Sequence, residues 1–237
     1  NGFDGTLIVN DSNLDLRFEG QIDFGEDIPV YKFDSKIGYA YLNRLNLIEN
    51  DSNVKLEANL HVDFIASDLD HMKGSVNINN INYQVGSALT HLDTFEFTAV
   101  TDSTGKTFAV NSDNGSMWIK GDFNSKGVKN GVEHVMHALF PSQFKLPEIP
   151  LDTSQYLDMK WRLDRLGSMA HQFIPQIDVI ENLEVEASYR GMGMQFETTI
   201  TTPHSIIQGI ELNGLSIYAN SNSTSGDINI QSREVNV

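Results

Sequence analysis

The sequence predicts a mostly β chain with one strong helix, and three observations predict it. Apolar and polar residues alternate over long stretches, the signature of strands with one covered and one solvated face. Polar, glycine-containing turn clusters separate those stretches. Between residues 125 and 141 the period changes: Val128, Val132, Val135, Met136 and Leu139 follow helical spacing and form one apolar stripe.

The elements follow in order. Over residues 13–24, Leu14, Leu16, Phe18, Ile22 and Phe24 alternate with Asp15, Arg17, Glu19, Gln21 and Asp23. Pro29 marks a connection, and residues 30–33 and 37–47 are two further strand candidates. Residues 50–53, Asn-Asp-Ser-Asn, form a turn. Val54, Leu56, Ala58, Leu60, Val62 and Phe64 then alternate with Lys55, Glu57, Asn59, His61 and Asp63. Eleven such residues at roughly 3.3 Å each span about 35 Å, long for a small domain. A loop over 67–72 leads to a strand over 74–83, whose phase slips at Asn79 and Asn80 as a bulge would require. Residues 93–100 continue the set.

Residues 107–150 make a strand, a turn at Asp113-Asn114-Gly115, a strand with Met117, Ile119 and Phe123 in phase, and the helix. Asn130 with Glu133 has capping-box spacing, which places the firm part of the helix from Gly131. Pro141 ends it, because proline has no N–H to donate. Pro141, Pro147 and Pro150 give an extended connection. The expected organisation is therefore a β segment over 1–140 ending in the helix, a Pro-containing connection over 141–156, and a second β segment over 157–237. In that second segment Leu157, Met159, Trp161 and Leu163 alternate with charged residues. Residues 166–174 read as a second short helix. Leu183, Val185, Ala187 and Tyr189, then Met194, Phe196, Thr198 and Ile200, give strands. Gly214 sits where the apolar parity switches from Ile210 and Leu212 to Leu215, Ile217 and Ala219, which suggests a bulge.

Composition narrows the functions. The net charge of −16 and the lack of any Lys/Arg run argue against nucleic acid, whose binders need a basic surface to displace counterions. The same sign disfavours electrostatic docking on anionic headgroups but leaves apolar lipid contact open. With no cysteine there is no disulfide framework and no thiolate chemistry. The chain has no initiator methionine, no signal peptide and no apolar run long enough for a bilayer, and it reads as an internal fragment of a longer protein.

Catalytic and metal chemistry find little support. His134 and His137 are one helical turn apart, as a metal pair needs, but no third ligand accompanies them, so they read as two polar-face histidines. Asp63, Asp68 and Asp70, and Asn111, Asp113 and Asn114, offer oxygen ligands without the downstream glutamate of a calcium loop, so self-bonded turns are the expected reading. No nucleophile elbow, phosphate loop or dinucleotide glycine fingerprint occurs. Neither an enzyme nor a cofactor is expected. On alternation alone, the apolar residues line either an open trough or the dry core of a two-sheet sandwich, and the sandwich is the commoner solution.

Three segments carry a family resemblance: LDLRFEGQIDFGEDIPVYKFDSKIGYAYLNRLNL over 14–47, the NSDNGSMWIKGDF phrase with the short helix and its LFP end, and residues 157–230 with LEVEASYRG and IQGIELNGLSIYANSNSTSGDINI. Their order and spacing resemble the TamB/AsmA-like proteins of Gram-negative envelopes, in particular the long TamB-like proteins of Bacteroidetes. The resemblance implies a β-groove or β-taco fold, a long curled antiparallel sheet with an apolar interior and one or two short helices. It also implies a periplasmic segment of a protein anchored in the inner membrane, linked to phospholipid movement to the outer membrane and to outer-membrane biogenesis. Its implied partners are phospholipid acyl chains and, through regions outside this chain, an outer-membrane barrel. The lining residues expected from shared parity are Leu14, Leu16, Phe18, Leu56, Leu60, Val62, Phe64, Ile119, Phe123, Met159, Trp161, Val185 and Phe196. The rival expectations are a scaffold for outer-membrane protein assembly and a closed-sandwich adhesin or carbohydrate-binding module.

Overall fold

The computed structural model describes residues 2–25, 28–49, 53–166, 176–222 and 225–236. The chain is mostly β. Its strands are β1 (Gly2–Asp11), β2 (Leu14–Asp23), β3 (Val30–Tyr41), β4 (Val54–Ala66), β5 (Met72–Val85), β6 (Ala88–Asp102), β7 (Gly105–Ser112) and β8 (Gly115–Asp122). The helix α1 (Ser125–Leu139) follows. Then come β9 (Tyr156–Leu166), β10 (Ile177–Arg190), β11 (Gln195–Ile207), β12 (Ile210–Ser221), β13 (Gly226–Gln231) and β14 (Glu234–Asn236). The strands form one open sheet of the β-groove type, taken up in chain order from β1 to β13, with β14 also pairing β12. Among the described residues no second sheet forms, so neither unit is the sandwich that alternation alone favours.

Two compact units divide the chain: residues 1–100 with 109–113, and residues 101–108 with 114–237. The Pro-containing connection expected to separate two segments therefore lies inside the second unit, where it joins α1 to β9.

Strand formation follows the alternation closely, with three departures and one expected irregularity that the structure shows. β1 is a full strand with only a weak alternation: Phe3, Leu7 and Val9 share a parity, but Gly5 interrupts their row and Ile8 falls on the other face. The two candidates at 30–33 and 37–47 are one continuous strand, β3, ended by turns over 42–46. The slip at Asn79 and Asn80 is real: the β4–β5 register shifts between Glu57 and Asn59, and Asn80 takes φ 52°. Gly214 is different. Pairing with β11 keeps one register on both sides of it, so its φ of 66° makes a left-handed kink and not an inserted residue. The second helix expected over 166–174 begins on the last residue of β9 and otherwise lies outside the described residues, as do Asn50, Asp51 and Ser52 of the expected turn.

Helix α1 starts earlier than the capping-box spacing suggests. Asn124 is the N-cap: its backbone is extended and its side-chain oxygen accepts from the Gly127 N–H at 2.8 Å. Asn130 is spent elsewhere, donating its amide to the Pro150 carbonyl at 3.0 Å. The helix closes at Phe140, whose N–H reaches the Met136 carbonyl at 2.8 Å, and Pro141 prevents continuation.

Candidate functional site: the apolar face of each unit

Directly opposed residues in an antiparallel pair point to the same face, so the register shows which side chains share a surface. In the first unit one row runs Leu7, Phe18, Ser35, Leu60, Ile78 and Phe95 across six strands. The next runs through Phe33, Val62, Val76 and Phe97. Leu14, Ala40, Leu56 and Tyr83 make another towards the β3–β4 turn. Leu16 opposes Ile37, and Phe64 opposes Tyr31. All seven lining residues expected in this unit therefore lie on one face. Aromatic rings reinforce it, with Phe18 and Phe33 centroids 4.8 Å apart and Phe64 and Phe97 5.7 Å apart.

The second unit repeats the arrangement. One unbroken row is Met117, Trp161, Val185, Ile200, Ile217 and Ile230. The adjacent row is Ile119, Met159, Ala187, Thr198, Ala219 and Ile228. The end row is Gly121, Leu157, Tyr189, Phe196, Ser221 and Gly226. Expected residues Ile119, Met159, Trp161, Val185 and Phe196 thus share one face. Phe123 lies one residue beyond β8, outside the ladder, and packs edge-on against Phe108 at 5.7 Å.

Each face is curled, not flat. Ala40, Val54, Ala58, Val62 and Ala99 in the first unit, and Leu183, Val185 and Ala219 in the second, are buried on these faces although no second sheet covers them within their unit. Leu60, Phe64, Met159, Trp161 and Phe196 on the same faces are only half-buried. A small side chain is shielded by its taller neighbours on a concave surface, while the tall ones keep an accessible side.

The opposite faces carry the charge. Lys32 pairs with Asp63, Lys160 with Glu186 at 2.6 Å and Arg190 with Asp158 at 2.7 Å. A shallow depression of about 490 Å³ opens there in the second unit, bordered by Trp118, Lys160, Glu186 and Glu197. It lies on the charged side of the strands, with the Trp118 ring forming part of its wall. On β4 of the first unit a short bond from Lys55 is the main reason Glu57 is held below the usual glutamate range, with Asn82 adding to it; the same bond raises Lys55.

The histidines and carboxylates considered as metal ligands have other partners. His134 is buried, not on a polar face, and its ring bonds the Ile149 carbonyl at 3.1 Å; His137 bonds the Phe144 carbonyl at 2.7 Å. Together with Asn130 they hold residues 144–150 along the helix as a strap. Asp68 accepts from the Asp70 and His71 N–H groups, a self-bonded turn. Asp113 accepts from Thr94 on the neighbouring strand, and Asp63 is taken by Lys32. Among the described residues no three His, Cys, Asp or Glu side chains gather as a metal set, and no helix is long and apolar enough to cross a membrane.

Helix α1 lies across the end row of the second unit. Gly131 sits against the Tyr189 hydroxyl, where a Cβ would come within 2.4 Å. Leu139 packs on Gly226 at the other end of that row. Val135 is buried between them. The fit leaves polar atoms stranded: Tyr189 Oη, Asn130 Oδ1 and Ser221 Oγ are buried without a hydrogen-bond partner. Each such atom costs about 1–3 kcal/mol. Burial, with the Asp152 charge nearby, holds the Tyr189 phenol above its ordinary range.

Compared with known proteins, the chain matches no family model, no curated protein and no solved structure.

Proposed function

We propose that this chain is a lipid-transfer segment of the cell envelope whose apolar faces shield acyl chains, a passive role that uses neither a catalytic group nor a cofactor. The observation that carries the reading is the set of mainly apolar rows on one half-open face in each unit. Each buried CH₂ of an acyl chain is worth about 0.8 kcal/mol. A row of half-buried Leu, Ile, Phe and Trp side chains can supply that burial without closing over the ligand. The ion-paired, net acidic opposite faces keep the protein in water and disfavour any second apolar layer there. The family resemblance adds the setting: a periplasmic stretch of a TamB/AsmA-like protein anchored in the inner membrane, serving phospholipid traffic to the outer membrane.

Photocrosslinking tests it. A photoreactive residue at Leu60 or Trp161 should capture phospholipid or fatty acid, while one at Asp63 or Lys160 on the other face should not. Capture that is equal on both faces, or absent from both, would reject the reading.

A further inference from the structure

Three features lie outside the open rows: the depression at Trp118, the exposed strap residues Phe144, Leu146 and Ile149, and the end row under α1. The first is a shallow surface whose charges already pair with one another, and nothing in the structure shows what would cover the second. The third combines a surface with a means of uncovering it.

We infer that the end row under α1 is a second, gated stretch of the acyl-chain surface, and that α1 with its strap is the lid that uncovers it. The inference rests on the lipid-shielding reading above. Tyr189, Phe196 and Ser221 stand in register with the open rows beside them, so the row is the direct continuation of an apolar face and not a separate core. What covers it is a helix whose seat is thin. Its buried residues are Asn130, Gly131, His134 and Val135, only one of them a large aliphatic. Val132, an apolar residue of the same helix, points out at 52% exposure.

Closure also strands polar atoms. Tyr189, Asn130 and Ser221 are 6%, 7% and 5% exposed, and each carries an oxygen without a partner. Lifting the helix returns all three to water, so part of the cost of opening is refunded by hydration. The side-chain bonds of Asn130, His134 and His137 run to carbonyls of the strap, so helix and strap can move as one body without breaking them. An acyl chain in the neighbouring rows would meet the closed helix as a stop and the open one as a continuation of its path.

The absence of cysteine makes the test clean. A Cβ at Gly226 would stand 3.2 Å from Leu139 Cγ, within disulfide reach, so Leu139→Cys with Gly226→Cys gives a reversible lock on α1. The 237-residue chain is labelled with a diazirine-bearing palmitate, oxidised and reduced, and labelled peptides are mapped. Oxidation should lower labelling of the Tyr189 peptide at least fivefold, leave the Leu60 peptide unchanged, and be undone by reduction. Equal Tyr189 labelling in both states, with Leu60 labelled, would overturn the lid and spare the lipid reading. Loss of label from Leu60 as well as Tyr189 in the reduced, folded chain would remove both.

Hydrogen exchange on the unmodified chain gives an independent arm. Amides of α1 should exchange at least tenfold faster than those of β10, and Gly131→Ala, which forces a Cβ against Tyr189, should widen that gap. Helix amides as protected as those of β10, before and after Gly131→Ala, would overturn the lid whether or not the disulfide forms.

Discussion

Both units cover one end of an apolar face, and they do it in opposite ways. In the first unit the turn after β3 folds over Val54, which is 0% exposed. That cover is stapled by the backbone: the Leu42 N–H donates to the Val54 carbonyl at 2.9 Å, the Val54 N–H donates to Asn43 Oδ1 at 3.3 Å, and the Leu47 N–H closes on Leu42. Arg44 adds a cation–π contact over Tyr41 at 4.5 Å. In the second unit α1 covers the end row through Gly131, Val135 and Leu139, and leaves three polar atoms unpaired. The first cover satisfies the groups it buries; the second does not. A stapled turn costs several hydrogen bonds to lift, whereas the helix regains hydration when it lifts. Two faces built from the same alternation thus differ in how far their ends are committed.

The largest effect expected from breaking this comparison comes from the shared feature, the rows themselves. Val185→Asp places a charge in the middle of an unbroken apolar row and should destabilise the second unit by about 3–5 kcal/mol, read as a fall in urea midpoint. Leu60→Asp, at a half-buried position, should cost about 1–2 kcal/mol and leave a folded chain with reduced lipid capture. If the two costs proved equal, the distinction between shielded and accessible positions on one face would fail.

The two covers should then respond with opposite sign to loss of a polar group. Asn43→Ala removes a bond that the stapled turn uses and should cost about 1 kcal/mol. Ser221→Ala removes an unpaired hydroxyl under α1 and should be neutral or stabilising by up to about 1 kcal/mol. Thermal melts of the two variants decide it, and two losses of similar size would erase the contrast. A smaller refinement is Asn124→Ala, which deletes the N-cap of α1. It should cost about 1 kcal/mol and speed exchange in the helix while the turn at 42–47 keeps its protection.

The smallest effect is the acid response of the outer face. Glu57 is held low by Lys55, so the pair's contribution is complete above the ordinary glutamate value and is lost as pH falls through the lowered one. At the other limit Lys55 is raised, so its share is complete below the ordinary lysine value and lost as pH rises through the raised one. The side chains are about one-third exposed, which keeps the effect at or below about 1 kcal/mol. Glu57→Gln should flatten that part of the acid profile; an unchanged slope would show that the pair contributes nothing.

Some of this architecture is local and was legible in the amino-acid order. Side chains in a strand alternate with a period of two, so Leu14, Leu16 and Phe18, or Leu60, Val62 and Phe64, declare a common face without any knowledge of their neighbours. The helix announced itself by its change of period and by Pro141. The slip at Asn79 and Asn80 showed as a phase break, because one extra residue moves every later side chain to the other face. What the tertiary structure decided is non-local. Alternation is the same whether a face meets a second sheet or curls on itself, so only the pairing of the strands in chain order separated groove from sandwich. The start of α1 turned on which asparagine caps it: Asn124 and Asn130 are equivalent as residue types, and the choice followed from Asn130 being needed by the strap. The placing of α1 over Tyr189 and Gly226 had no signature in the order of residues. It depends on register across β10, β11, β12 and β13, which brings together side chains from strands far apart in the chain, and a period read along one strand carries no information about what lies above it.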